Sequence, residues 1–341
     1  MTDLDRRVLP SGSHSRVAPL LPSGSDFARD TEPFRRELLA HCYRMLGSAH
    51  DAEDVVQETY IRAWRSYDAF ENRSSLRTWL YRIATNACLT ALSHTSRRVL
   101  PSGLGAPSDD PNQPPSAADV DWIEPIPDAW VTAPSDDPAA IVTSREGLRL
   151  ALIASLQHLP AQQRAVLILR DVLAFPAAEV AAMLDTSVTA VKSALQRARA
   201  RMKDAAPSPD DVVEPSSPQA RALLDGYMAA FGNADADALA EVLRHDAALE
   251  MVGSRTWFAG RATCLPFIAD HVLGAAGDWS MIGVAANGQP AAAAYQRDAD
   301  GAMRAFGVAV LVVTTTGIAR IVVFGDPRLV TMFGLPDLLD R

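Results

Sequence analysis

Five side chains near position 190 carry chemistry suited to reading a nucleic acid. Thr189, Lys192, Ser193, Gln196 and Arg197 stand at i, i+3, i+4, i+7 and i+8, so a helix gathers them on one outward face, with Lys192 at its edge. Hydroxyl, amide and guanidinium groups pair with base edges, and cationic groups neutralise phosphates. Arg199, Arg201 and Lys203 follow toward the C-terminal end, where the helix dipole also favours positive charge. A second set mixes rings with arginines: Trp79 and Tyr81 lie among Arg73, Arg77, Arg82, Arg97 and Arg98. Bases stack on rings while guanidinium groups track phosphates, which is the chemistry of single-stranded nucleic acid, although Trp79 also suits a core position. In the last third His245, Asp246, Glu250 and His271 are the ionisable candidates for a carboxylate-base reaction. No spacing among them marks a base and its oxyanion partner, so no catalytic residue is expected. The three cysteines, Cys42, Cys88 and Cys264, form no C-x-x-C pair, and neither a disulfide framework, a metal site nor a cofactor is expected.

Helices must position these groups. A supporting helix over Ala161 to Val172, a short one over Ala177 to Leu184 and a third over Val188 to Met202, with Asp185-Thr186-Ser187 between the last two, form a helix-turn-helix. Val188, Val191, Leu195 and Met202 are expected to face its core, and Asp185 occupies a turn position where glycine is commoner. A generic helical pair with a basic outer face is the alternative. The arginine-aromatic set lies on Ser74 to Ser93, expected to bury Leu76, Leu80, Ile83 and Ala87 and to turn Thr78, Tyr81 and Thr85 outward. Before it, Asp51 to Tyr67 sets Val56, Tyr60, Ala63, Trp64 and Tyr67 on one face and Asp54, Glu58, Ile61 and Arg65 on the other. Its acidic first turn suits the helix dipole. Ile61 among charges, and the like-charged pair Asp54 and Glu58 at i, i+4, gain nothing locally and suit a protein partner.

The chain of 341 residues has room for two or three domains, and 48% apolar residues excludes disorder throughout. A net charge of −9 argues against gripping naked DNA by charge alone, so nucleic-acid contact must be local or shared with a partner. Composition divides the chain into a flexible tail over 1–25, a helical block over 26–100, a flexible Pro-Ser-Asp linker over 101–140, a helical block over 141–206, a linker over 207–218 and an α+β block over 219–341. The last block opens with an amphipathic helix bearing Ala220, Leu223, Leu224, Tyr227, Met228 and Phe231 on one stripe. Strands follow over Ala248 to Val252, Trp279 to Val284, Ala291 to Gln296, Arg304 to Thr314 and Ile318 to Phe324, with a hairpin turn at Thr315-Thr316-Gly317. Neither a signal peptide nor an apolar run of membrane-spanning length occurs, so a cytoplasmic protein without membrane contact is expected. The heptapeptide Arg6-Arg7-Val8-Leu9-Pro10-Ser11-Gly12 recurs at Arg97-Arg98-Val99-Leu100-Pro101-Ser102-Gly103, too short a unit for a structural repeat.

Several of these segments, in order, resemble a known family. Asp51-Ala52-Glu53-Asp54-Val55-Val56-Gln57-Glu58-Thr59 and Ser75-Leu76-Arg77-Thr78-Trp79-Leu80-Tyr81-Arg82-Ile83-Ala84-Thr85-Asn86 look like region two of extracytoplasmic-function (ECF) RNA polymerase sigma factors. Leu159-Pro160-Ala161-Gln162-Gln163-Arg164-Ala165-Val166-Leu167 and Val191-Lys192-Ser193-Ala194-Leu195-Gln196-Arg197-Ala198-Arg199 resemble region four. The resemblance implies two all-α sigma domains, a region-two helical bundle and a region-four helix-turn-helix. It implies a non-catalytic subunit that binds core RNA polymerase, through the β′ clamp and the β flap, and promoter DNA. Asp54, Gln57, Glu58, Ile61 and Arg62 would meet polymerase. Arg77, Trp79, Tyr81, Arg82, Asn86 and Cys88, with Ala87, would serve the minus-ten element by capturing an unstacked base. Thr189, Lys192, Ser193, Gln196 and Arg197 would serve the minus-thirty-five element; Gln196 stands where some members carry an aromatic, so the sequence read there does not carry over.

The block over 219–341 departs from the minimal plan and resembles SnoaL-like, ketosteroid-isomerase-like cone folds. The peptide Asp121-Trp122-Ile123-Glu124-Pro125-Ile126-Pro127-Asp128 looks like a motif of sigma factors bearing that extension. A regulatory cone domain that binds a small apolar ligand is the expectation. A free-standing helix-turn-helix regulator, or an isomerase-like enzyme with helical attachments, remain alternatives; the first needs no outward acidic helix, and the second would turn over substrate without the helical blocks.

Overall fold

The computed structural model describes residues 26–67, 70, 74–94, 96–132, 146–205 and 212–339. The expected tail over 1–25, the first copy of the heptapeptide and Arg73 therefore lie outside the described residues. Among the described residues the first module holds α1 (Asp26–Thr31), α2 (Arg35–Leu46), α3 (Ala49–Ser66) and α4 (Leu76–Leu92). Ser48 and Ser75 cap α3 and α4, each accepting a backbone N–H at 3.0 Å, from Asp51 and Thr78. Gly47, at φ 72°, ends α2 in the left-handed conformation that a Cβ disfavours. Phe27, Tyr43, Met45, Val56, Tyr60 and Leu80 fill the interior.

The linker over 101–140 was expected to be flexible, and over 96–132 the structure corrects this: the segment is an ordered strap containing a short helix, α5 (Asp128–Val131). Its two ends pair, Val99 N donating to Asp121 O and Ile123 N to Val99 O, both at 3.0 Å. Its middle runs along the C-terminal domain, where Ser108 N donates to Trp257 O and Arg255 N to Ser116 O, both at 2.8 Å. Ile123 and Ile126 are fully buried. Composition judged correctly that this segment has no core of its own; it is ordered because neighbouring units supply the apolar surface and hydrogen-bond partners. The rest of that range, 133–140, lies outside the described residues.

The second module holds α6 (Leu150–Gln157), α7 (Ala161–Leu167), α8 (Ala177–Met183) and α9 (Val188–Ala205). The supporting helix is not α-helical to its end, since Ile168–Val172 forms a π-helical turn. Asp185 takes φ 49° in the turn before α9, the geometry its position demanded. Val188, expected in the core, is exposed, and Ala198, about one turn beyond Leu195, is buried.

In the C-terminal domain α10 (Pro218–Gly232), α11 (Ala236–Val242) and α12 (Arg261–His271) cover a curved sheet of β1 (Leu243–Val252), β2 (Trp257–Ala259), β3 (Trp279–Ala286), β4 (Gln289–Arg297), β5 (Met303–Thr314) and β6 (Gly317–Phe324). The strand order is β2-β1-β6-β5-β4-β3, with β1 and β6 parallel and the other neighbours antiparallel. A two-residue strand, β7 (Leu338–Leu339), pairs with β5 after α13 (Pro327–Met332). The helices and one sheet face enclose one core, with Tyr227, Phe231, Leu249 and Trp279. The opposite face, through Ala286, Val310, Val322 and Phe324, joins the apolar cluster of both helical modules.

Candidate polymerase and promoter interface

On α3 the sequence places an apolar row inside and charges outside, and the structure keeps that division with one change. Val56, Tyr60 and Ala63 are buried; Asp54, Gln57, Ile61 and Arg62 are exposed and Glu58 is half-buried. Glu58 accepts from Arg62 Nε at 2.6 Å, a surface pair at i, i+4 worth little to stability. Trp64, expected inside, is 49% exposed, three residues from Ile61 at 45%. The two form an apolar strip among charges, which the i, i+3 spacing could have revealed. Arg35 to Glu53 and Arg98 to Asp51 fix the N-terminal half of the helix by ion pairs.

Helix α4 departs further from expectation. Tyr81 and Thr85, expected outside, are fully buried, as is Cys88, while Ala87 is 5% exposed. The cause is that α4 lies between α2 and the second module, so two adjacent rows are covered instead of one. Thr85 Oγ1 donates to Tyr81 O at 2.7 Å and meets His41 Nε2 at 2.9 Å. Tyr81 turns edge-on to Phe175, ring centres 5.1 Å apart, and reaches Glu37 Oε2 at 3.2 Å. Burial pushes its phenol pKa up, so it stays neutral. Cys88 faces Cys42 in the interior, where burial raises its thiol pKa. Tyr81, Cys88 and Ala87 thus cannot touch a base in this arrangement. Arg77 is half-buried, forked onto Glu37 at 3.0 to 3.2 Å and stacked over Tyr81 and Phe175 at 4.9 and 4.7 Å. Trp79 is half-buried and stacks on Phe70 at 4.8 Å. Arg82 and Asn86 remain exposed.

What covers α4 is the second module. Thr78 Oγ1 donates to Glu179 Oε2 at 3.0 Å, and Asn86 Nδ2 to Met183 O at 3.4 Å. Sequence reasoning missed Glu179 and Met183, whose helix carries no local sign of this contact. On α9, Thr189, Lys192, Gln196 and Arg197 are exposed, with Ser193 half-buried at the edge. Arg199 is tied bidentately to Asp171 at 2.7 and 2.8 Å. The face that could enter a major groove is therefore open.

Within the apolar contact between the C-terminal domain and the helical modules, the tip of the β3–β4 hairpin supplies a polar junction. Asn287, fully buried at φ 57°, precedes Gly288 at φ 64°, the pair of positive angles that a two-residue hairpin turn requires. Its Nδ2 donates to Tyr43 Oη at 2.6 Å and to Leu148 O at 2.8 Å, and its Oδ1 accepts from Ile126 N at 3.0 Å. One amide thus joins the first module, the approach to the second, and the strap. Gly288 N donates to Asp128 Oδ1 at 2.7 Å. Nearby, Tyr43 donates to Glu124 O at 2.8 Å. Burial pushes the Glu124 carboxyl up, but hydrogen bonds from Ser48 and His50 outweigh it and hold the group below its usual range.

The ionisable candidates of the last third do not converge. His245 and Asp246 are exposed, the latter paired with Arg244. Glu250 is fully buried, yet it turns away from the cone, paired with Arg320 and accepting Ser102 N at 2.8 Å. That hydrogen bond gives the second heptapeptide copy a use as a strap anchor, together with Arg98 on Asp51 at 2.6 Å. Among the four, only His271 reaches the cavity inside the cone. Among the described residues no group of three or more His, Cys, Asp or Glu could hold a metal, and no helix is long and apolar enough to cross a membrane.

A helical module with an outward acidic helix, followed by a helix-turn-helix with an open basic face, defines a two-module promoter-recognition subunit. Residues 31–98 match the family model for Sigma-70 region 2, and residues 149–202 that for Sigma-70, region 4. The ECF RNA polymerase sigma factor SigG of Mycobacterium tuberculosis is 49% identical over 317 residues, 92% of this chain and 85% of that protein. SigJ of the same organism is 30% identical over 216 residues, 63% of this chain and 61% of that protein. The crystal structure of Mycobacterium tuberculosis SigJ shares the fold, with a TM-score of 0.56 at 23% identity over 91% of this chain and 99% of that one. The chain belongs to the ECF RNA polymerase sigma factor family, whose members direct promoter-specific transcription initiation with core RNA polymerase. It carries an α+β domain after region four.

Proposed function

We propose that this sigma factor is held shut by its own C-terminal domain and meets core polymerase through α3 before its minus-ten surface is uncovered. The supporting observation is an asymmetry within one module: the outward face of α3 is bare, whereas α4 lies under Phe175, Glu179 and Met183 of region four. Asp54, Gln57, Glu58, Ile61 and Arg62, joined by Trp64, meet the β′ clamp, and region four meets the β flap. Once region four lifts, Arg82, Asn86 and the ring of Trp79 serve the minus-ten element, with Arg77 holding α4 to α2. Thr189, Lys192, Gln196 and Arg197, with Ser193 at the edge, serve the minus-thirty-five element by contacts to base edges and phosphates.

In this reading the cone domain regulates and does not catalyse, because among the described residues no carboxylate lines the cavity to act as a base. A tethered domain acts at high effective concentration, and a small apolar ligand that prefers one state shifts the balance between shut and open.

The test is transcription. The purified chain is mixed with core polymerase and genomic promoter fragments, and transcript starts are mapped. Asn287→Ala should raise yield several-fold from the same starts, and Arg82→Ala should lower it. Equal yield from Asn287→Ala removes support for the shut state. Failure of the chain to bind core polymerase, even with residues from Gln219 onward removed, sinks the assignment of α3.

A further inference from the structure

Asn287 is chemically distinct as well as central to the junction. Of the five asparagines in the chain, it alone precedes a glycine. With no Cβ beside it, a glycine nitrogen reaches the preceding side-chain carbonyl more easily than any other. In the reaction open to such a pair, the Gly288 nitrogen attacks Asn287 Cγ, the new N–Cγ bond closes a cyclic imide, and the Cγ–Nδ2 bond breaks. Nδ2 leaves as ammonia, carrying the proton that the glycine nitrogen gave up. Water then opens the ring: attack at Cγ gives aspartate, and attack at the main-chain carbonyl gives isoaspartate, with the backbone rerouted through the former side chain. Asparagine and water go in, a carboxylic acid and ammonia come out, and neither an oxidant nor a second protein is required.

In the shut chain every group that this reaction needs is engaged. Asn287 Nδ2 donates to Tyr43 Oη at 2.6 Å and to Leu148 O at 2.8 Å, and its Oδ1 accepts from Ile126 N at 3.0 Å. The nucleophile, Gly288 N, donates to Asp128 Oδ1 at 2.7 Å. Asn287 is fully buried, which keeps bulk water away. Ring closure turns the side chain and the Gly288 nitrogen toward each other, and so breaks these hydrogen bonds. The same socket rejects the product. Tyr43 donates its own proton to Glu124 O, so Oη and Leu148 O both present lone pairs to position 287. A carboxylate there would set oxygen against oxygen in a buried site, next to the Asp128 carboxyl.

We propose that Asn287 is a deamidation site, silent while the hairpin tip is seated and reactive once it leaves, and that the acid formed keeps the chain from shutting again. This rests on the shut state argued above and extends it: release by polymerase is reversible, whereas release followed by loss of ammonia is not. Opening frees the amide and the Gly288 nitrogen together, so the rate of ammonia loss follows the fraction of chain that is open.

Peptide mapping by mass spectrometry tests this, reading aspartate and isoaspartate at 287 in the full chain kept in mildly alkaline buffer. The chain alone should react at least about tenfold more slowly than the same chain unfolded in urea, and core polymerase or Asp128→Ala should each raise the rate about threefold or more. Equal rates in the folded and unfolded chain overturn the site, as does a rate that Asp128→Ala leaves unmoved or that stays unmoved with polymerase bound. Polymerase binding is read in the same samples by anisotropy. A chain that does not bind defeats the polymerase reading, while the urea and Asp128→Ala arms still decide the site. Wild-type chain that has lost the amide, separated from fresh chain by its extra negative charge, should give several-fold more transcript from the same starts, as should Asn287→Asp. Equal yield from the fresh and converted chains overturns the one-way release.

Discussion

Helices α3 and α4 sit side by side in one module, and both carry residues on outward faces that local packing does not explain. The face of α3, with Ile61 and Trp64 bare among charges, is open to a partner; that of α4 is closed by region four through Glu179, Met183 and Phe175. The difference teaches an order of events. In the proposed order, a surface that is already open finds polymerase first, whereas a surface held under another domain needs a free-energy source before it can meet DNA, and docking on polymerase is the source proposed.

The contrast breaks most sharply at the hairpin tip. Asn287→Ala takes their side-chain partner from Leu148 O and Ile126 N in the interior and one of two partners from Tyr43 Oη, and should cost the shut state about 3 kcal/mol. Hydrogen exchange should show the amides of 121–128 opening faster, while those of α3 stay protected. Next in size, Ile61→Glu combined with Trp64→Ala should weaken core-polymerase binding by about 30-fold, near 2 kcal/mol, as for an aromatic anchor. The melting temperature of the free chain should stay within about 2 °C, because both side chains are exposed; a large fall would mean that α3 is not the free face. Binding is read by anisotropy of a labelled chain.

The covered side carries a pH signature. Burial, with Arg44 and Arg77 nearby, pushes the His41 pKa down to about 3 from 6.5. The unfolded chain gains a proton there below about pH 6.5 and the folded chain does not, so stability present above that pH is lost as the pH falls toward 3. The loss is about 1.4 kcal/mol per pH unit. Urea unfolding at pH 7, 6 and 5 should show that slope flattened in His41→Gln. The smallest effect sharpens the cover itself: Glu179→Ala removes the hydrogen bond from Thr78 and should loosen region four by about 1 kcal/mol. Thr78→Val alone and the double variant complete a cycle, and non-additive changes in α4 exchange are expected.

Much of the site was legible because it is local. The spacing of Thr189, Lys192, Gln196 and Arg197 fixes their common face on any helix, and Ile61 announced its exposure by standing among charges. Other signals were present but unread. Asn287-Gly288 is a strong hairpin pair, and Trp64 follows Ile61 at helical spacing. Tyr81, Thr85 and Cys88 were misplaced for a different reason: the apolar stripe of α4 widens only because a second domain lands on it. The strap failed in the same way, since its residues become ordered on surfaces contributed from distant parts of the chain, as Ser102 on Glu250, 148 positions away, shows.

By itself the amino-acid order determined the helical and strand periods, the caps at Ser48 and Ser75, and the outward polar face of α9, because each depends on side chains within a few residues of one another. Only the tertiary structure decided which faces are covered, that Glu250 serves the strap and not the cavity, and that Asn287 ties the hairpin tip to Tyr43, Leu148 and Ile126. Those outcomes depend on burial and hydrogen-bond satisfaction between segments distant in the chain, and no local pattern encodes which distant group arrives.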